Sequence, residues 1–242
     1  MMKVKEKLYY NRKELEAEGP INIVILGDSV SHGSIVDSND YETVYWNLLK
    51  QKLNALRNYM PVNMICASIG GTTAADSVKR LDKQVLKHEP DLVIVCFGLN
   101  DVNGTLEHYV TALRTIFTRC LAAGCEVIFL TPNMLNTYVP DDTPKQWYEY
   151  AHKTAEMQNG GKMDSFMDAA RALAKELGVP VCDCYAAWKE LAKTEDTTMM
   201  LANRINHPTP EMHRLFADKL YELIIGENAE ASLQSSTMFE EK

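Results

Sequence analysis

An apolar run that stops at Gly-Asp-Ser constrains this chain more than any other feature. Ile23-Val24-Ile25-Leu26 is continuous rather than alternating, which predicts a strand buried on both faces. Gly27 permits a sharp exit into Asp28-Ser29-Val30-Ser31-His32-Gly33. In open α/β sheets, ligands bind beyond the carboxyl ends of the strands, so Ser29 sits where chemistry is expected. Taken alone, a serine after a strand reads more often as a helix N-cap.

The rest of the chain alternates strand-like and helical segments, without an internal repeat. Apolar strand-like runs over 62–67, 90–97, 125–130 and 179–184 alternate with helical spacing over 44–56, 77–87, 106–122, 166–177 and 211–225, and residues 185–202 also read as helical. This alternation predicts a single-domain α/β protein, a three-layer α/β/α sandwich with a central parallel sheet. Residues 1–20 read as a charged leader with a short strand over 7–10. The domain spans 21–226, and 227–242 reads as a loose acidic tail. Residues 133–164 do not look like framework: the stretch is long and polar and carries Tyr138, Trp147, Tyr148 and Tyr150. It is either a lid or binding loop, with Gly160-Gly161 as a hinge, or a surface helix with incidental aromatics.

Composition excludes several classes of partner. A net charge of -8 without a basic cluster argues against nucleic acid. No stretch approaches the roughly 18 unbroken apolar residues of a membrane span. Residues 1–12 are charged and lack the apolar centre of a secretory signal. Of the six cysteines, several lie inside apolar runs, and Cys182-Asp183-Cys184 is too closely spaced for a zinc pair. Buried free thiols and a cytoplasmic setting are therefore expected. The oligomeric state is not legible.

Three further stretches bear on Ser29. A serine hydroxyl is a weak nucleophile until a base takes its proton. Among six histidines, His207 is held in a proline-bounded loop before the last helix, where Pro208 fixes the backbone. Gly70-Gly71, at a strand exit, lets backbone N–H groups approach a ligand. Gly98-Leu99-Asn100-Asp101, at another strand end, offers an amide with two donors. In order and spacing these four stretches resemble the SGNH hydrolases, also called the GDSL esterase/lipase family, over roughly residues 21–225. Gly27-Asp28-Ser29-Val30 resembles the first block, with valine where leucine is usual. The stretch around Gly71 is similar to the second block, Gly98-Leu99-Asn100-Asp101 to the third, and His207-Pro208-Thr209 to the fifth.

The resemblance implies an ester hydrolase with Ser29 as nucleophile and His207 as base. The Gly71 amide and the Asn100 side chain would help to hold the oxyanion, and neither metal nor cofactor would be needed. Asp28, Asp101, Asn203, Trp147 and Tyr148 are then supporting or substrate-binding candidates. The chain departs from the pattern at Arg204, where the family has an aspartate three residues before the histidine. A cation cannot orient the imidazole as a carboxylate does. A backbone carbonyl or Asn203 could orient the ring, an acid such as Asp183 could reach in, or catalysis could be impaired; the first is preferred. Rival readings are a non-catalytic ligand-binding relative and a flavodoxin-like nucleotide binder, although no Walker lysine or dinucleotide glycine spacing is present. The family's substrates include carbohydrate acetyl esters, lysophospholipids and acyl thioesters. A small acyl group on a carbohydrate-like alcohol is the expectation carried forward.

Overall fold

In a computed structural model, which describes residues 3–57 and 60–226, five parallel strands form one sheet in the order β2-β1-β3-β4-β5. The strands are β1 (Ile21–Gly27), β2 (Val62–Cys66), β3 (Leu92–Cys96), β4 (Glu126–Thr131) and β5 (Val181–Asp183). Successive side chains of a strand point to opposite faces. Val24 and Leu26 of β1 accordingly join Val93, Val95, Val127 and Phe129 in one core layer. Ile23 and Ile25 join Leu92, Ile94, Ile128 and Leu130 in the other. Burial on both faces is why these strands read as unbroken apolar runs.

Helices α5 (Ala74–Val78), α6 (Leu81–Gln84), α7 (Leu106–Ala122) and α9 (Lys162–Glu176) cover the first layer. Helices α4 (Tyr45–Ala55) and α11 (Pro210–Ile225) cover the second. The α/β/α architecture expected from the alternation is the one observed. The sheet places β2 on one side of β1 and β3 on the other, so the chain reverses its direction of travel between β1 and β3. That reversal opens a crevice beyond the carboxyl ends of these two strands.

Three expectations are corrected. Residues 7–10 form no strand: α1 (Lys3–Lys7) and α2 (Arg12–Glu18) are helical, the second closed by a capping box between Asn11 and Glu14. The segment packs on the sheet, with Val4 and Leu8 buried in the second core layer. The buried Lys7 Nζ lies 2.8 Å from Asp91 and donates to the Glu18 and Pro20 carbonyls, while Asp91 also accepts from the Asn22 amide. Lys7 and the amide at the start of β1 thus share one buried carboxylate, which ties the two helices to the sheet. In place of the single helix expected over 77–87 stand α5, α6 and a 3₁₀ turn at Leu86–His88. The helix expected over 185–202 is α10 (Cys184–Leu191) followed by turns. The acidic tail lies outside the described residues.

Segment 133–164 contains α8 (Tyr148–Asn159), whose Ala151, Thr154, Ala155 and Gln158 are buried. Its base is held by buried polar side chains. Asn136 donates to the Ala151 carbonyl and accepts from Thr154, and Gln158 accepts from the Leu135 amide. Gly160-Gly161 forms the turn between α8 and α9. All six cysteines are free; five are buried and Cys66 is exposed. No described helix is long and apolar enough to cross a membrane.

Candidate active site

Ser29 begins the short helix α3 (Ser29–His32) immediately after β1. The N-cap is Asp28 rather than Ser29: its Oδ1 accepts from the Val30 amide at 3.0 Å. This frees the Ser29 hydroxyl from the capping role. Only glycine fits at position 27, because a Cβ there would run into the Ser31 side chain and approach the Cys96 carbonyl to 2.9 Å. The tight turn brings Ser29 over the crevice, with 8% of its surface exposed.

His207 comes from the other end of the chain. Asn203 Oδ1 accepts from the amides of Ile205, Asn206 and His207, all within 2.9–3.0 Å, and so folds the loop around one side-chain oxygen. Asn133 Nδ2 donates to the Asn206 carbonyl, and the Asn136 amide donates to the Ile205 carbonyl. The imidazole that this loop presents has its Nε2 2.9 Å from Ser29 Oγ and its Nδ1 2.6 Å from the Ile35 carbonyl oxygen. A carbonyl can only accept, so Nδ1 carries the proton. Nε2 is then the free acceptor, oriented toward the serine hydroxyl. Burial pushes the His207 pKa below its ordinary value, and the Ile35 carbonyl only partly offsets this.

Opposite the pair lies the loop after β2. Gly71 has φ +76°, a left-handed conformation that favours glycine, and a Cβ there would meet nothing within 4 Å. Asn100 Nδ2 donates to the Thr72 carbonyl at 3.0 Å, and Asp101 Oδ1 accepts from the Ala74 amide at 2.9 Å. The end of β3 therefore pins the Gly71 loop. Behind these residues, Asp28 and Asp101 are buried, and the Oδ2 of each has no hydrogen-bond partner among the described residues. Desolvation raises Asp28 to about 7 and Asp101 to about 6. An unpartnered carboxylate oxygen in such a place favours the protonated form.

Ser29, Gly71, Asn100, Asn203, His207 and Trp147 line one cleft of about 340 Å³. Asp28 and Asp101 are buried and do not line it. Tyr148 corrects an expectation: it does not line the cleft, and its ring meets His152 edge-on with centroids 5.0 Å apart. Trp147 and Tyr150 line it instead. Residues three apart share a helix face, and the one next to Trp147 is rotated by about 100°. Three other residues of the wall, Val36, Ile205 and Asn206, were not among the sequence candidates. Nor was Ile35, whose contribution is a backbone carbonyl.

The other two groups proposed to orient His207, Asn203 and Asp183, are engaged elsewhere, Asn203 with the backbone amides of its own loop. Asp183 receives Arg171 Nε and Nη2 at 2.7 and 2.9 Å and caps α10. Arg204 has φ +60° and directs its guanidinium at Asp142 and the Met199 and Leu201 carbonyls. His32 faces the Tyr41 hydroxyl at 3.3 Å, and the buried His213 is pushed down to about 4 by desolvation. Among the described residues, no three His, Cys, Asp or Glu side chains gather into a metal-binding group.

A three-layer α/β/α domain with its cleft beyond the β1 and β3 ends, and with these four sequence stretches around it, is the architecture of an ester-bond hydrolase. The chain belongs to the GDSL-like lipase/acylhydrolase family, whose model matches residues 25–215. It is 27% identical over 223 residues to the uncharacterized lipoprotein YqeF of Bacillus subtilis, covering 83% of this chain and 88% of that protein. It is 28% identical over 152 residues to an arylesterase of Vibrio mimicus, covering 60% of this chain and 71% of that one. Its fold is similar to that of an acetylxylan esterase from Geobacillus stearothermophilus, with a TM-score of 0.67 at 20% identity over 84% of this chain and 94% of the other.

Proposed function

We propose that this protein is a serine esterase that removes small acyl groups, acetyl foremost, from carbohydrate-like alcohols through an acyl-enzyme. The observation that carries the reading is the relay from the Ile35 carbonyl through the His207 ring to Ser29 Oγ, with distances of 2.6 and 2.9 Å. His207 Nε2 takes the hydroxyl proton as Ser29 Oγ attacks the ester carbonyl. The Ser29 and Gly71 amides and Asn100 Nδ2 receive the developing oxyanion, and each donor of this kind is worth about 3 kcal/mol. His207 then returns the proton to the leaving alkoxide. Water, activated by the same imidazole, releases the acid.

The missing aspartate is compatible with this chemistry. In serine proteases, replacing the triad aspartate by asparagine costs about ten-thousand-fold in kcat, because the amide stabilises the wrong tautomer. Here a carbonyl acceptor fixes the productive tautomer. What it does not supply is a negative charge to stabilise the imidazolium. The account therefore expects an acidic limb of kcat/KM with its midpoint below the ordinary histidine value of about 6.5, since burial favours neutral His207 and the base works only when neutral. A pH–rate profile checks this, repeated on Asp28→Asn and Asp101→Asn, because those carboxyls titrate at about 7 and about 6. A midpoint near or above 7 in all three proteins would contradict it.

Support for a small substrate comes from the cleft volume of about 340 Å³, at the low end of the roughly 300–1,000 Å³ typical of ligand pockets. Trp147, half exposed on the rim, offers an aromatic face for a sugar ring. The acetylxylan esterase of similar fold points to the same substrate class. The test is an acyl-chain series of p-nitrophenyl esters alongside acetylated xylosides. Acetate is expected to be turned over best, with acetate release from the sugars. A preference for long acyl chains would overturn the substrate assignment.

A further inference from the structure

Arg204 stands where the family carries its acid, yet its side chain is turned into a different contact. Its left-handed backbone directs the guanidinium outward, and Nε and Nη2 meet Asp142 at 3.1 and 2.9 Å. Nη1 is held by the carbonyls of Met199 and Leu201 at 3.1 and 2.8 Å, so the cation is anchored in its own loop before it reaches across. Those bonds keep the Asp142 carboxyl below its ordinary value, and the pair is charged at neutral pH.

The two partners belong to the two walls of the cleft. Arg204 lies three residues before His207, and Asp142 lies five before Trp147, both of which line it. The base of the 133–164 segment is fixed by the buried Asn136 and Gln158 bonds, but its outer arm is exposed. One ion pair, Arg204–Asp142, holds that arm together with neutral donors: the Tyr138 hydroxyl donates to Asp196 at 2.6 Å and Asn103 Nδ2 to the Tyr150 hydroxyl at 3.1 Å. A rigid pocket wall that carries an aromatic platform needs such a tie, since orientation of the bound group depends on it.

We propose that the Arg204–Asp142 pair is a latch that fixes the Trp147 wall to the His207 loop, making both positioning residues for the alcohol part of the ester. The proposal rests on the esterase reading and adds a role that this reading does not assign. Arg204 acts through the wall and not on the imidazole, which the Ile35 carbonyl already orients. The latch is partly open to water, with side-chain exposures of 20% for Arg204 and 56% for Asp142, so salt weakens it.

The test compares ethyl acetate, too small to reach the wall, with 2-naphthyl acetate. Asp142→Ala is expected to raise KM for the naphthyl ester about threefold to tenfold, somewhat more than an isolated exposed ion pair usually supplies. Its kcat, and both constants for ethyl acetate, stay at the wild-type values. The Asp142→Arg/Arg204→Asp double variant, with the charges exchanged, recovers part of the loss. Raising salt from about 0.05 to 0.5 M raises KM for the naphthyl ester in the wild type and not in Asp142→Ala. Fluorescence titration of the naphthyl ester into Ser29→Ala, with and without Asp142→Ala, reads the same shift as a change in Kd without turnover. Unchanged KM, Kd and salt response in Asp142→Ala overturn the latch, as does an equal loss of kcat on both esters. If the esterase reading fails instead, Ser29→Ala turns over as fast as the wild type while the titration still reports on the latch.

Discussion

Replacing His207 with alanine is expected to lower kcat for p-nitrophenyl acetate by about four to six orders of magnitude, and Ser29→Ala by a similar factor. The double variant should be scarcely slower than either single one. A hydroxyl without its base and a base without its hydroxyl are equally idle, so members of one catalytic unit are not additive. The 2.9 Å contact between Nε2 and Oγ, made across 178 residues of sequence, motivates the expectation. Steady-state kinetics on the three variants check it. If the two losses multiply, the residues act separately, and the proposed proton transfer is wrong.

The second large effect belongs to Asn100. Truncation to alanine should cost about a hundred- to a thousand-fold in kcat, the usual loss for one oxyanion donor, with KM little altered. Its Nδ2 has two hydrogens. One is given to the Thr72 carbonyl at 3.0 Å, which holds the Gly71 loop, and the other is available to the oxyanion. Asn100→Asp should be worse than Asn100→Ala, because a carboxylate faces both the Thr72 carbonyl and the developing negative charge. A variant that binds and turns over like the wild type would remove Asn100 from the proposed oxyanion hole.

Much of this arrangement was legible in the sequence, for physical reasons that differ by residue. Ser29 stood out because a strand buried on both faces has to end in a turn at the edge of the sheet, and β1 does so. Asn100 stood out in the same way at the end of β3. His207 was conspicuous among six histidines because a proline fixed its loop, and it lies in that loop against Ser29. The substitution of Arg204 for an acid raised the question of what orients the ring. In the structure the Ile35 carbonyl lies 2.6 Å from Nδ1, and a backbone carbonyl leaves no mark on residue identity.

Other misses follow the same logic. Tyr148 and Tyr150 are equally aromatic neighbours of Trp147, and only helical phase separates the one outside the cleft from the one that lines it. Residues 1–20 were read as a charged leader because charged side chains dominate them. Val4 and Leu8 are nevertheless spaced for one helix face, and Lys7 is buried against Asp91, 84 positions away. Pairing across that distance cannot be read from local pattern. Asp28 and Asp101, singled out as supports, are buried behind the cleft, where burial and not any feature of their neighbours in sequence raises their pKa.

The central claim is that Ser29 is the group that becomes acylated. Trapping with a p-nitrophenyl alkylphosphonate, followed by peptide mass mapping, tests it most directly. The account predicts one adduct per chain, located on Ser29, formed with loss of esterase activity, abolished in Ser29→Ala and strongly slowed in His207→Ala. An adduct on another residue, or full esterase activity with Ser29 phosphonylated, would contradict it.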